Sequence, residues 1–488
     1  MNSRDRIHCA IPSAVALFIL SIQLVIRSTG INFDELVYVF WAKDGKFLVE
    51  SETLVAGKPP AFYFINAIVY RCLEFIGPLC LHVFYIVILA ISLGVLARSL
   101  ASFRQGSGQP ACRYLVLLYL LPLVLNPFIL FHGTQVMMET ALIPVLSFLV
   151  AACFPRPRHC AILFLSALAI LIKDSALPAV GALGVVQILF FGWRSRKSLS
   201  LWCGLAGGWL INRAILFAVG AEPMRGKGFS TLRHQLFHWD EYTRQGVIDF
   251  LAHTLFYIGP ITLIIATVIV MRRRNFRNPF LSLGLLSLLG VIFVRLSVEI
   301  AYPHYGSPMI WIGIVSFLSL ALQPGWKAAV IILIAWAVPI ATMNLPDVYR
   351  YRFWPHSAVE MTYFSGLSVV PGVALGSWIL SHREIRKKPL CILVTEENTP
   401  SESATWTSRG LFHWMTEYPF FFNEREIEKF RQCPHPKAYV SRRIQPKEKG
   451  CAFECPFPNA GTISCEWQKL TAWVKTSPVW VKNEVCLP

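Results

Sequence analysis

The apolar residues of this chain are gathered into long runs, and no other feature constrains its fold as much. The runs are roughly 11–27, 79–101, 112–131, 137–153, 160–173, 176–192, 199–219, 248–271, 279–298, 306–322 and 327–343. Several reach the ~20 residues that a helix needs to cross a bilayer. Of the 488 residues, 55% are hydrophobic and only 15% are charged, against roughly 25% charged in soluble domains. The expected fold class is an α-helical polytopic membrane protein with about 11 transmembrane helices. The formal net charge is +17. No basic patch is interleaved with aromatics in a soluble segment, so no nucleic acid is expected as a partner. The excess cation fits cytoplasmic loops and anionic lipid surfaces instead.

The connectors alternate in charge. Arg104 to Arg113, Arg156 to His159, Trp193 to Lys197 and Arg272 to Arg277 are basic, which places them in the cytoplasm by the positive-inside rule. The other set, Asp34 to Pro60, His132 to Glu139, Lys173-Asp174, Glu222 to Gln245 and Glu299 to Gly306, holds most of the acidic residues, histidines and tyrosines. Polar chemistry is thus expected on the extracytoplasmic side. The first run reads as an uncleaved span with its N-terminus inside.

Eleven spans divide the chain into a transmembrane domain, residues 1–344 with a first extracytoplasmic loop at 28–78, and a soluble cysteine-rich domain, residues 345–488. An amphipathic helix at 372–386, a strand at Pro389 to Thr395 and a helix near 409–422 predict a small extracytoplasmic α/β domain. Thr362 to Leu380 as a twelfth span, ending in the basic run His382 to Lys388, is the alternative and would put the tail inside. Cys433, Cys451, Cys455, Cys465 and Cys486 crowd this tail. They read as two disulfides with one cysteine left over rather than half of a zinc site. Cys72, Cys80, Cys112, Cys153, Cys160 and Cys203 lie in or beside apolar runs and read as small hydrophobes.

The first long polar segment carries Asp34-Glu35-Leu36-Val37-Tyr38 and, further on, Gly57-Lys58-Pro59-Pro60-Ala61-Phe62-Tyr63. An acidic pair at the mouth of a span is costly unless it faces water, a cation or a reacting group. Asp34 is therefore the first candidate for a catalytic carboxylate, and a helix N-cap is its alternative role. These residues resemble the first extracytoplasmic loop of the GT-C glycosyltransferases, in the branch of the protein O-mannosyltransferases and the aminoarabinose transferase. In that family an Asp-Glu begins a helix along the membrane surface and a Lys-Pro-Pro followed by aromatics begins the next. Asp34, Glu35, Tyr38, Lys58, Pro59, Pro60 and Tyr63 match. Asn126-Pro127 to Glu139, Lys173, and His304-Tyr305-Gly306-Ser307-Pro308 follow in family order, with Glu139 standing where Asp is common. The resemblance covers roughly residues 10 to 325.

The resemblance implies a polyprenyl-phosphate sugar donor and transfer to a lipid, glycan or protein acceptor at the extracytoplasmic face, in a bacterial inner membrane. Such an enzyme needs a cation for the phosphate and a base for the acceptor hydroxyl. Asp34 is the candidate base, Glu35 its support and Glu139 a third carboxylate in the site. Lys58, His304 and Lys173 are candidate phosphate contacts, with Tyr38, Tyr63 and Tyr305 beside the donor. A lipid phosphate leaves without an acid, so no second carboxylate is required, unlike a glycoside hydrolase. Structural roles compete. Lys58 could snorkel, Pro59-Pro60 sets a helix start, Glu139 could pair with Lys173 or Arg213, and Lys173 and Asp174 could meet only solvent. His304 and Tyr305 could be interfacial anchors.

The segment Glu222 to Gln245 could gate a cavity. Its His234-x3-His238 pair could hold a metal with Asp240 or Glu241, although lone pairs of this kind are seldom metal sites. No cofactor is called for; a divalent cation is the one alternative. The chain has no G-x-x-x-x-G-K-S/T and no G-x-G-x-x-G, so ATP-driven transport finds no support. A transporter or flippase of lipid-linked sugars and a non-catalytic scaffold are the rival readings. Arg213 and Arg295 are the mid-span charges that a transporter would use.

Overall fold

The computed structural model describes residues 3–27, 38, 42, 60–76, 80–105, 113–154, 158–218, 227–237, 239–274, 276–297, 303–343, 391–395, 420–422, 432, 434, 437–441, 468–476 and 479–487. The chain divides into two compact units. One comprises Met1–Val25, Trp41–Met343 and Asp347–Met361; the other comprises Ile26–Phe40, Asn344–Pro346 and Thr362–Pro488.

The first unit is helical. Its described helices are α1 (Ser3–Arg27), α2 (Ala61–Leu73), α3 (Cys80–Gln105), α4 (Arg113–Val124), α5 (Pro127–His132), α6 (Met138–Cys153), α7 (His159–Ile172), α8 (Leu177–Phe191), α9 (Arg196–Ala218), α10 (Lys227–Phe237), α11 (Glu241–Ile258), α12 (Pro260–Arg273), α13 (Pro279–Leu296), α14 (Ser307–Ala321) and α15 (Trp326–Thr342). Each expected span falls on one of these or on a neighbouring pair. Cys80–Gln105, Asp174–Phe191, Arg196–Ala218 and Pro279–Leu296 are long and apolar enough to cross a membrane. Six shorter apolar helices lie at Ala10–Leu24, Arg113–Val124, Met138–Cys153, His159–Ile172, Ser307–Ala321 and Trp326–Thr342.

Two expected spans are broken. The run 248–271 is α11 followed by α12, bent by 77° between Ile258 and Pro260. Gly259 makes the corner at φ +86°, where a Cβ would stand 2.6 Å from Trp336 Nε1; glycine alone suits both the backbone and the space. Pro260 then starts α12 with the fixed φ that a first helical turn accepts. The run 112–131 is likewise interrupted at Asn126-Pro127. The extended Asn126 accepts from Phe128 N at 2.8 Å and starts α5.

The helix α14 is the axis of packing. Every residue from Ser307 to Ala321 is buried, and α13, α12, α11, α6, α4 and α8 all touch it. At one end of this helix Arg104 Nη1 and Nη2 donate to the carbonyls of Leu322 and Gln323, at 3.1 and 2.7 Å. Arg273 Nη1 reaches Gln323 Oε1 at 2.8 Å. The carbonyls that a helix leaves unpaired at its C-terminus are thus met by guanidinium groups, and two of the basic connectors lie at one end of the bundle.

Elsewhere, backbones approach through small residues. Gly204 and Gly208 of α9 lie against Leu163, Ser166 and Ala167 of α7, where a Cβ on Gly208 would come within 2.6 Å of the Ala167 carbonyl. This is the small-x3-small contact by which helices pack in lipid. Large apolar side chains cover the outside, among them Phe164, Leu210, Phe217, Ile264, Val268 and Ile334. That much apolar surface suits hydrocarbon rather than water.

In the second unit, strands β1 (Cys391–Thr395), β2 (Phe420–Phe422), β3 (Lys437–Ser441), β4 (Gln468–Thr476) and β5 (Val479–Leu487) form one sheet in the order β2-β1-β3-β5-β4. β1 runs parallel to β2 and β3, with Leu393 opposite Phe421 and Tyr439. β5 is antiparallel to β3 and β4, and Thr476 stands opposite Val479. β1 coincides with the expected strand. Phe420–Phe422, expected at the end of a helix, is a strand: three consecutive aromatics favour the pleated surface. The expected helix at 372–386, the rest of 409–422 and the tail cysteines other than Cys486 lie outside the described residues.

The α7–α9 contact generates a stability prediction. Gly208→Leu drives a side chain into the Ala167 backbone and is expected to cost about 1–3 kcal/mol, the usual penalty of overpacking. An unchanged thermal midpoint of the purified protein in detergent, relative to wild type, would contradict the close approach.

Candidate functional site

Three of the sequence-predicted residues meet at the end of α14 opposite Arg104. Glu139 lies in the first turn of α6, where the helix N-terminus favours a carboxylate. Lys173 ends α7 in extended conformation, φ −161° and ψ 134°, with its N–H still bonded to Ala169 O at 3.1 Å. Tyr305 sits in the 3-10 turn Pro303–Gly306 that leads into α14. Lys173 Nζ is paired with Glu139 Oε1 and stands 4.8 Å from the centroid of the Tyr305 ring. The side chains are 4% exposed at Glu139 and 17% at Lys173, so the pair is largely withdrawn from water and weakly screened. A solvent-facing Lys173 is thereby corrected: the ammonium turns inward. Asp174, next in sequence, accepts instead from Asn212 Nδ2 at 3.2 Å.

Behind Glu139 is a buried polar group in which His253 and Tyr257 join residues of the segment Asn126 to Glu139. Asn126, His132, Gln135, Thr140, His253 and Tyr257 are all 3% exposed or less. His132 lies between Gln135 Oε1 at 3.4 Å and Tyr257 OH at 3.3 Å. Thr140 Oγ1 donates to the His132 carbonyl at 2.8 Å, and Asn126 Nδ2 to the Tyr257 carbonyl at 2.9 Å. Phe128 stacks 6.4 Å from Trp311, whose Nε1 donates to Ser147 Oγ at 3.0 Å. The available signal was a cluster of polar residues between 126 and 140 inside two apolar runs. Within a membrane helix, polar residues of this kind mark sites rather than lipid contact.

Asp34, Glu35 and Lys58 lie outside the described residues. Tyr38 is buried. The helix α2 begins directly after Pro60, where the Lys58-Pro59-Pro60 pattern predicts a helix start. Tyr63 is buried on it, edge-on to Phe62 at 5.7 Å. Asn66 Oδ1 on the same helix accepts from Tyr85 OH at 2.5 Å, and α2 packs on α3 and on α7, the helix that carries Lys173. His304 lies in the turn with Tyr305; its side chain lies outside the description.

His234 is exposed on α10, and His238, the other member of the expected pair, lies outside the described residues. Among the described residues no group of three His, Cys, Asp or Glu could hold a metal. Asp240, instead of a ligand, is the N-cap of α11: its Oδ1 accepts from Thr243 N at 2.7 Å. That hydrogen bond holds its carboxyl below the usual range. Arg295, 1% exposed on α13, donates to Gln235 Oε1 at 3.2 Å.

No protein-family model matches the chain, and no curated protein does. Two solved structures match it along nearly its whole length. They are ArnT from Cupriavidus metallidurans in the apo state and the same protein bound to undecaprenyl phosphate. Each gives a TM-score of 0.53 at 16% identity, covering 98% of this chain and 97% of that one.

The fold is that of ArnT.

The ArnT-like fold frames a test of the buried pair. Removing one member of such a pair strands the other charge and costs about 3–5 kcal/mol, whereas removing both costs less than the sum. Glu139→Ala is expected to lower the thermal midpoint more than Glu139→Ala/Lys173→Ala does. Strictly additive shifts in thermal unfolding would contradict the pairing.

Proposed function

We propose that this protein is an integral-membrane glycosyltransferase of the GT-C type. It moves a sugar from a polyprenyl-phosphate donor to an extracytoplasmic acceptor. The observation that carries the reading is the likeness to ArnT over 98% of the chain, a GT-C aminoarabinose transferase. One of those ArnT structures holds undecaprenyl phosphate. The apolar outer surface and the polar group gathered at one end of α14 support it further.

The four long helices, the bent pair and the six shorter apolar helices make eleven spans in this reading. The extracytoplasmic end is the one that carries Glu139, Lys173 and Tyr305. The tail from about residue 345 is a soluble extracytoplasmic α/β domain in this reading; the five-stranded sheet supports a folded domain there.

The chemistry is an in-line displacement. The acceptor hydroxyl oxygen attacks the anomeric carbon and its proton passes to the Asp34 carboxylate. The bond from the anomeric carbon to the phosphate oxygen breaks, and its electron pair leaves on the lipid phosphate, which inverts the anomeric centre. Lys58 and His304 hold the departing phosphate, with Lys173 beside them. Glu35 supports Asp34, and Tyr38, Tyr63 and Tyr305 flank the donor. Glu139 acts through Lys173: the carboxylate holds the ammonium under Tyr305 and so fixes where a phosphate can sit.

Asp34→Asn keeps size and loses the base, and general-base catalysis contributes about 10²–10⁴-fold. Sugar transfer from a polyprenyl-phosphate donor in membranes carrying Asp34→Asn is expected to fall by that range with donor binding retained. Undiminished transfer would sink the mechanism.

A further inference from the structure

On the outer side of the α7–α9 pair lies a second polar group, which the transfer mechanism does not use. Asn212 is fully buried on α9, and its Nδ2 donates to Asp174 Oδ1 at 3.2 Å. Its Oδ1 is buried with no donor. Arg213 follows, half-exposed, with its guanidinium carbon 5.5 Å from the Trp209 ring centroid. Its charge acts on the Asp174 carboxylate, yet among the described residues it forms no ion pair, and its Nε is buried without an acceptor. Ser175 Oγ is buried without a partner as well. Asp174 itself is exposed.

These groups are a complementary set of a donor, an acceptor and a carboxylate. The buried Arg213 N–H requires an acceptor, preferably anionic, and the buried Asn212 oxygen requires a donor. Leaving such groups unmet costs about 1–3 kcal/mol each, and the exposed Asp174 carboxylate beside them favours a cation. Arg213 lies five residues before the end of α9 at Ala218, or about 8 Å along the axis, a depth suited to the headgroup layer. Trp209, an interfacial residue type, and the exposed Leu210 lie about one turn deeper on the same helix, toward hydrocarbon.

We infer that Asp174, Asn212 and Arg213 form a headgroup site for an aminophospholipid. The lipid phosphate meets Arg213, its primary ammonium meets Asp174 and donates to Asn212 Oδ1, and its acyl chains lie along α9. A choline headgroup has no N–H to give Asn212, and a glycerol headgroup brings no cation to Asp174. The inference rests on the membrane placement proposed above and is independent of sugar transfer.

The full-length protein, purified in mild detergent and incubated with phosphatidylethanolamine, phosphatidylcholine or phosphatidylglycerol, tests it by native mass spectrometry of retained lipid. Wild type is expected to retain phosphatidylethanolamine about tenfold above either other lipid, the discrimination that one charge-assisted hydrogen bond supplies. Arg213→Gln is expected to abolish retention of all three, and Asp174→Asn to remove only the preference. Equal retention of the ethanolamine and choline lipids by wild type, a preference for phosphatidylglycerol, or wild-type retention by Arg213→Gln would each overturn the site. Because the spectra report only folded, intact protein and its lipids, loss of transfer activity in any variant does not enter the result.

Discussion

The structure depends on one constraint: a polar group inside an apolar bundle is costly unless it finds a partner. In hydrocarbon no water is available to satisfy a stranded N–H or carboxylate. The helix α14 shows the consequence. All of its residues are buried, so its unpaired carbonyls at Leu322 and Gln323 are met by Arg104. Its other end adjoins Tyr305, over which Lys173 is held by Glu139. The two ends of one apolar helix are therefore chemically opposite: guanidinium groups on carbonyls at one, and an ammonium compensated by Glu139 beside the Tyr305 ring at the other.

Breaks in the helices serve the same end. At Asn126 the chain leaves α4, and the freed polar side chain both caps α5 and donates to Tyr257 O. At Gly259 the chain turns by 77° next to Trp336. The two breaks meet through Tyr257, whose carbonyl binds Asn126 and whose hydroxyl lies 3.3 Å from His132. Irregular backbone at membrane depth is tolerated where protein encloses it, and here it brings α5 and α11 to the same polar group.

Much of this was legible in the sequence, and the reasons are specific. Apolar runs gave the helices because length and composition alone decide whether a segment suits hydrocarbon. Gly259-Pro260 and Asn126-Pro127 are strong punctuation, but hydropathy averaged over either run conceals them. Glu139, Lys173 and Tyr305 stand out in the sequence because each is polar and lies at the end of an apolar run. That Lys173 faces Glu139 rather than solvent depends on the helix pairing of α6 and α7, which no single run encodes. His253 and Tyr257 carry no signal in the sequence, because an isolated histidine or tyrosine in an apolar run has no partner visible until the helices pack. In the second unit β1 was readable from Cys391 to Val394. The alternation Lys469-Leu470-Thr471-Ala472 of β4 also carries a period-two signal, although it is short and lies in a tail dominated by cysteines.

The short segment after α7 joins the two polar groups of the molecule. Lys173 is extended, so its side chain and that of Asp174 leave the backbone on opposite sides. One side carries Lys173 to Glu139 and Tyr305; the other carries Asp174 to Asn212 and the neighbourhood of Arg213. Ala176 N returns to the Lys173 carbonyl at 3.0 Å, which ties the 3-10 turn to the residue that holds the ammonium. A group that fixes Asp174 from the outer face therefore restrains the same backbone that aims Lys173 inward. An occupied headgroup site would narrow the positions open to Lys173 without touching it, because the restraint passes through one peptide unit.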